Sequence, residues 1–299
     1  MKKLLASAFV LMSVTIGFAQ DNHDVTSQYG NSNSANVDQH GKENSNGILQ
    51  MGYKNKAEVS QFGQMNVNST ESIGDKNKET VYQSGKKNSN DTWQKGDQNK
   101  ATTKQYGEFN KVIQKQKGDD NSVYALQCGD RNYIYQNQKG DDNEATAKQY
   151  GKDNKVDQVQ NGDGNHATAW QNGMRNSIDQ NQSGNDNSAT GTQTGYDDKI
   201  IQKQVGNENK AIATQIGDKN SISETQMGNK NLAIDLQDGC LNDIVVKQVG
   251  NMHDHLGIQI GNSNSQDIFQ ETGNSNGGTC CNAPALPDPK CGPNSGGGC

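Results

Sequence analysis

From Gly30 to Gly261 a glycine falls every 11 residues without a miss, so that 22 of the chain's 34 glycines keep one period. A helix carrying a glycine in every third turn loses about 1 kcal/mol at each relative to Ala, and a disordered chain has no reason to keep register. A fixed period of this kind marks a repeat architecture, in which each unit buries its inner face against its neighbours. Two further positions travel with the glycine. The residue two before it is Gln in 21 of 22 units, from Gln28 to Gln259, with Ser72 as the exception. The residue three after it is Asn in 20 of 22, from Asn33 to Asn264, with Asp198 and His253 as exceptions. The unit reads Gln-x-Gly-x-x-Asn-x-h-x-h-x, where h is often apolar or small.

Counted from the glycine as zero, Asn, the two h positions and the next Gln stand at +3, +5, +7 and +9, all on one side of a pleated strand. The residues between them are mainly Lys, Asp, Thr, Ser and Glu and face water. Gly followed by a polar pair, as in Gly118-Asp119-Asp120 or Gly140-Asp141-Asp142, supplies the turn, because Gly accepts positive φ and Asp closes turns through its side chain. All four prolines (Pro284, Pro287, Pro289, Pro293) fall outside the repeats, as a ladder that uses every backbone N–H requires. The register ends where Thr272 takes the place due a glycine and Gly273 arrives one residue late.

A second period lies inside the first. At +5, Ala145, Ala167, Ala189, Ala211 and Ala233 alternate with Val156, Ile178, Ile200, Ile222 and Ile244. At +7, Ala125, Ala147, Ala169 and Ala213 alternate with Gln114, Gln136, Gln158, Gln180 and Gln202. The structural repeat is therefore 22 residues and two strands. The expected fold is an all-β solenoid of about 11 coils, roughly 50 Å long at about 4.8 Å per coil, with an Ala column in one sheet facing an Ile/Val column in the other.

Only 29% of the chain is hydrophobic, 5% is aromatic and the mean hydropathy is -1.02, which excludes a thick apolar core. In register, that scarcity fits an interior two strands thick. Stacked Gln and Asn bond their amides to the same residue in the coils above and below, as in cross-β ladders; a buried amide without a partner costs about 1–3 kcal/mol. The residues expected to form this structural ladder through the central coils are Gln138, Gly140, Asn143, Ala145, Gln149, Gly151, Asn154, Gln160, Gly162, Asn165, Ala167 and Gln171.

The net charge of -6 and pI near 5.4 exclude the basic face of a nucleic-acid binder. Lys2 and Lys3, the apolar stretch Leu4 to Phe18 and Gly17-x-Ala19 read as a secretory signal peptide over residues 1–19, shorter than the ~20 apolar residues of a membrane span. The organisation expected is a signal peptide (1–19), a short N-terminal segment (20–27), the solenoid (28–272) and a Cys/Gly/Pro-rich tail (273–299). Cys280, Cys281, Cys291 and Cys299 in that tail point to disulfides in a secreted chain; their spacing lacks the paired Cys-x2-Cys of a zinc knuckle. Cys128 and Cys240, in different coils, read as free or outward rather than bridged to each other.

No constellation of converging carboxylates or histidines recurs at a fixed position, so no enzyme and no cofactor is expected. His253-Asp254-His255 reads as a loosened terminal coil rather than a metal pair. Asp75, Asp97, Asp119, Asp141 and Asp163 stack at +1, an unfavourable column of like charge that Lys95, Lys117 and Lys139 at -1 are placed to neutralise; a solvated turn is favoured there over a divalent-cation site. Outward Tyr29, Phe62, Trp93, Tyr106, Tyr150 and Trp170 are spaced singly. The alternative to a polymer subunit is a monomeric secreted binding solenoid with a flat face for ice or another surface. Outward Thr80, Thr102, Thr146, Thr168 and Thr190 recur at +6, but of their +8 partners (Tyr82, Lys104, Lys148, Trp170, Thr192) only the last completes a Thr pair.

The repeat resembles the curlin repeat of bacterial curli subunits, whose motif is Ser-x5-Gln-x-Gly-x-Gly-Asn-x-Ala-x3-Gln. Gln160-x-Gly162-x-Gly164-Asn165-x-Ala167-x3-Gln171 fits its second part completely, and Gln138-x-Gly140-x-Asp142-Asn143-x-Ala145-x3-Gln149 lacks only the second glycine. Asn154 stands in the place of the motif's Ser, the second glycine is usually a polar residue, and only Gln20 to Ser27 precede the first repeat where the family carries a secretion-targeting stretch. The resemblance implies a structural subunit that self-assembles head to tail into an extracellular cross-β amyloid fibre at the bacterial cell surface, for adhesion and biofilm matrix. It also implies a nucleator subunit and an outer-membrane secretion channel as partners.

Overall fold

The computed structural model describes residues 21–271 and the backbone of residues 280–281; the expected signal peptide and most of the tail lie outside the described residues. All regular structure there is β. Odd-numbered strands from β1 (His23–Asn31) to β23 (Ser265–Glu271) form one twelve-stranded sheet, sheet B, and even-numbered strands from β2 (Ser34–Lys42) to β24 (Cys280–Cys281) form another, sheet A. Each strand pairs in parallel with the strand of its own sheet in the next coil, at an offset of 22 residues up to β22 (Asp254–Ile260): in sheet A, β10 (Ser122–Asp130) meets β12 (Glu144–Lys152) with Val123 beside Ala145 and Gln127 beside Gln149. This is the two-strand solenoid expected from the sequence, and β1 opens at His23, five residues ahead of Gln28.

The chain turns between sheets through two left-handed residues. Gly118 has φ +124° and Gly140 +112°. The residue two further on is also left-handed in every unit from Ser32 to Ser263, with φ between 55° and 65°, and only Gly164 among them is a glycine. None is β-branched, the class that tolerates this region worst. This explains the second glycine of the family motif: here Asp, Lys and Arg occupy a site that glycine fills without strain.

Because the chain reverses direction at each turn, a column near one turn in sheet A faces the column far from that turn in sheet B. The +5 Ile and Val of sheet B therefore pack on the +7 Ala of sheet A, giving one cluster that includes Ile134, Ala147, Val156, Ala169 and Ile178. The expected meeting of +5 Ala with +5 Ile/Val is corrected accordingly. The +5 Ala of sheet A backs the +7 Gln of sheet B, and Gln136 Nε2 donates to the Ala145 carbonyl at 3.1 Å. Sheet A supplies the small side chains and sheet B the large ones, so the two inner faces interlock.

A Cβ built on Gly118 would overlap the carbonyl oxygen of Gly140 in the next coil. Gly118→Ala is expected to lower stability by about 2–4 kcal/mol. Lys76→Gly, at an exposed left-handed position (φ 57°), should raise it by up to about 1 kcal/mol. Urea titrations followed by circular dichroism check both, and equal midpoints would refute the account of the turn.

Candidate functional site: the amide ladders and the sheet surfaces

In sheet A, each Gln from Gln39 to Gln237 donates from Nε2 to Oε1 of the Gln 22 residues on, at 2.6–3.0 Å. In sheet B the same ladder runs from Gln94 to Gln270 at 2.8–3.1 Å. The second Nε2 proton crosses to the other sheet: Gln138 donates to the Ser122 carbonyl (3.1 Å), Gln149 to Tyr133 (3.0 Å), Gln160 to Glu144 (2.9 Å) and Gln171 to Lys155 (3.0 Å). Both amide protons are used, one along the rod and one across it, so burial leaves no donor unpaired. At Ser72 the hydroxyl donates to Gln94 Oε1 (3.1 Å) and the amide chain from Gln50 is broken. A third ladder, Gln114 to Gln202 at +7 of sheet B, ends on Glu224, whose Oε2 accepts at 2.7 Å.

The Asn column fastens the turns. Asn143 donates its backbone N–H to Asn121 Oδ1 (3.1 Å) and its Nδ2 to the Gly162 carbonyl (2.7 Å). Asn154 does the same with Asn132 Oδ1 and Gly173, and Asn165 with Asn143 Oδ1 and Gly184. The carbonyls of Gly140 and Gly151 accept from Asn121 (2.7 Å) and Asn132 (2.9 Å).

The Asp column is a hydrogen-bond ladder as well. Tyr53 N donates to Asp75 Oδ1, Asp75 N to Asp97, Asp97 N to Asp119, Asp119 N to Asp141 and Asp141 N to Asp163, at 2.8–2.9 Å. Asn185, Asn207, Asn229 and Asn251 then continue the pattern. Asn replacing Asp without change of geometry shows that the turn needs an acceptor, not a charge. Among the described residues no ion pair joins Lys95, Lys117 or Lys139 to these carboxylates, and no group of His, Cys, Asp and Glu is arranged to hold a metal. Charge pairing occurs at the left-handed position instead, where Arg131 and Arg175 form bidentate bridges to Asp153 and Asp197 one coil on.

Four buried acids interrupt this neutral interior, of which the sequence pattern marks Asp198 as a break in the Asn column and Glu79 as an irregular +5 residue of the first coils. Glu79 takes a position filled by Ala in later coils; Asn90 Nδ2 donates to its Oε1 (3.3 Å), its Oε2 has no partner, and burial pushes its carboxyl up to about 8. Asp198 Oδ1 accepts from the Asn220 N–H (2.9 Å) and Nδ2 (3.2 Å), its Oδ2 has no partner, and burial raises it to about 7. Burial and the adjacent Asp235 hold Glu224 well above the usual range. Asp235 Oδ1 lies 2.9 Å from His255 Nε2, both fully buried. His253 turns to the Val249 carbonyl (3.0 Å), so the two histidines do not converge.

On the outside of sheet A the aromatics are not single. His40 stacks on Phe62 (5.1 Å, 8°), Phe62 meets Tyr82 (5.5 Å), Tyr82 meets Tyr106 (5.3 Å), and Tyr150 meets Trp170 (6.3 Å). Where small Ser84 breaks the column, Tyr82 reaches in diagonally, two residues off register. Thr146, Thr168 and Thr190 stack in register, between Tyr124 and Ile212.

Cys128 and Cys240 are each disulfide-bonded and buried, which corrects the reading of them as free. Their strands, β10 and β20 (Leu232–Cys240), are five coils apart, about 24 Å, so they are not bonded to each other. The side chains of Cys280, Cys281, Cys291 and Cys299 lie outside the described residues.

An unfolded Glu ionises near pH 4.3 and an Asp near 3.9, whereas Glu79 and Asp198 hold their protons to about 8 and about 7 in the fold. The fold is thus favoured below about pH 4 and loses about 1.4 kcal/mol per pH unit and group as pH rises towards those values. Urea midpoints should fall from pH 4 to pH 8.5, and Glu79→Gln should flatten the slope. Asp198→Asn restores the ladder amide, which would donate to the Gly217 carbonyl as Asn187 does to Gly206 (2.7 Å). It should stabilise most at pH 8.5; an unchanged pH slope in both variants would refute the assignment.

The family model for the curlin associated repeat matches residues 30–63 and 118–151. Each span begins and ends on a turn glycine and covers three units. No match was found among curated proteins. The chain therefore carries curlin associated repeats in both matched spans, and the coils beyond residue 151 continue the same Gln ladder at the same 22-residue offset.

Proposed function

We propose that the chain is a secreted structural subunit of an extracellular curli-like amyloid fibre, which self-assembles head to tail and serves adhesion and biofilm matrix. The curlin repeat and a β-solenoid of this build are non-enzymatic kinds. What carries the reading is the polarity of the Gln ladder at the ends of sheet B. Each Gln–Gln bond of this ladder runs from a donor Nε2 to an acceptor Oε1 one coil nearer the C-terminal end. Gln28 donates to Gln50 (2.7 Å), and among the described residues no strand of sheet B precedes β1 to donate to its Oε1; Gln270 accepts from Gln248 (2.8 Å) and gives one proton to the Asp254 carbonyl (2.9 Å). A second copy stacked on β23 through its β1 continues the ladder from Gln270 Nε2 to Gln28 Oε1, and the reverse orientation does not. The same contact covers Val25 and Tyr29 at one end and Phe269 at the other, which are 50%, 63% and 60% exposed. Such open parallel edges are templates for further strands.

The leader pattern of residues 1–19 supports export, and the family resemblance supports a nucleator subunit and an outer-membrane secretion channel as partners. Residues 20–299 are expected to give fibres with a meridional reflection near 4.7 Å and a thioflavin signal. Gln28→Lys places an ammonium against a donor at the joint and should leave a monomeric solenoid with unchanged far-ultraviolet dichroism. Monomeric parent protein, or equal fibre growth by the variant, would overturn the proposal.

A further inference from the structure

Near the C-terminal end, three columns of neutral side chains give way to titratable groups. In sheet A, Asp235 follows Ala213 in register and His255 follows Ala233. In sheet B, Glu224 on β19 (Ser221–Met227) follows Gln202 and is itself followed by Val246. All three groups are buried. Glu224 Oε2 accepts from Gln202 Nε2 at 2.7 Å, and with Val246 next in the column the ladder has no further amide to receive a proton. The other oxygen, Oε1, has no partner, and neither has Asp235 Oδ2, although the two carboxyls adjoin. Two acceptors cannot bond to each other. One proton held between them turns both into an O–H···O bond, whereas two buried carboxylates in contact would be costly. Asp235 Oδ1 takes a second proton from His255 Nε2 at 2.9 Å. A continuous path of bonds thus runs from Gln202 through Glu224 and Asp235 to His255, crossing from sheet B to sheet A and reaching β22.

Gly257 makes room for this path. A Cβ built there, beside Asp235 in the next coil, would overlap Asp235 Oδ1 and crowd His255 Nε2 (2.9 Å). Its backbone is not left-handed, so glycine serves here for space and not for conformation. The inward residues around the three groups are Ala211, Ala213, Ala233, Ile244, Val246 and Ile268, none of which titrates. Charged side chains of the same and adjoining strands, from Lys199 to Glu271, alternate to the outer faces. The other inward acid of these coils, Asp198, lies at a turn four residues from Gln202, and His253 is turned to the Val249 carbonyl.

We propose that Glu224, Asp235 and His255 form a proton-held clasp over the last coils, which keeps β22 and β23 closed while the shared proton is present and lets them open in alkali. Burial and the neighbouring carboxyl hold Glu224 well above the ordinary range. A group whose proton is bound more tightly in the fold stabilises it at low pH, and that stability is lost as pH rises through the folded value. Gln270 on β23 donates to the Asp254 carbonyl of β22 (2.9 Å), so release of β22 also loosens β23. On the reading of β23 as the receiving end of a fibre, the clasp regulates that joint and growth slows as the proton leaves.

Hydrogen exchange followed by mass spectrometry on freshly refolded residues 20–299 tests the clasp without reference to fibres. After correction for intrinsic rates, peptides spanning β22 and β23 should lose protection about tenfold per pH unit once the shared proton is gone, while those spanning β12 keep theirs. Glu224→Gln supplies a permanent N–H to Asp235 and should hold the protection in alkali. Gly257→Ala should remove it at every pH. Elongation of parent seeds by parent monomer should slow in alkali, and elongation by Glu224→Gln should not. Equal pH dependence of protection in parent and Glu224→Gln, or parent-like protection in Gly257→Ala, would overturn the clasp. Gated protection with no fibre growth at any pH would uphold the clasp and count against the fibre reading alone.

Discussion

A buried amide must give away both of its protons, and in an interior only two strands thick the nearest acceptor of the right length is the same amide one coil further on. This constraint ties the sequence to itself. Gln138 is satisfied because residue 160 is also Gln, and Gln160 because residue 182 is. Apolar packing alone would tolerate Leu for Ile or Val for Ala at many coils; the ladder tolerates much less, which is why Gln and Asn are nearly invariant while the h positions drift. The few aliphatic residues inside need only fill the space the amides leave.

The turns obey the same economy of bonds. The glycine carbonyl is held by an Asn from the preceding coil, and a left-handed residue follows two positions later. The +1 column shows how little the turn demands: any side chain that brings an acceptor to the backbone N–H of the neighbouring coil serves, and Asp gives way to Asn along the rod without disturbing the geometry. A like-charge stack persists because the bonds it makes are to neutral backbone donors.

Period and parity made the strands, the two-sheet coil and the 22-residue register readable from residues alone, because those depend on spacing. The facing of Ala147 with Ile134, rather than Ala145 with Ile134, follows from the direction of the chain across a turn and was not encoded in the column pattern. The buried Glu79, Glu224 and Asp235 looked like ordinary drift at h positions, since a carboxyl and an amide occupy similar volume and only burial separates their energetics. The aromatic stack was missed because its members alternate between two columns, and Tyr82 joins it diagonally. The bonding of Cys128 and Cys240 depends on partners far away in the chain, which local spacing does not reveal.

The break at Ser72 has a thermodynamic meaning. Below it sheet B has one Gln–Gln link, Gln28 to Gln50, beside an interior of Asn46, Asn68, Thr70 and Ile48, while the sheet A ladder from Gln39 passes the break without interruption. In a one-dimensional stack, cooperativity is carried by nearest-neighbour coupling, and the loss of one amide link in one of two sheets weakens that coupling locally. Fraying from β1 therefore meets less resistance in sheet B than in sheet A, so the rod has a softer end and a harder end although its backbone repeat is nearly uniform.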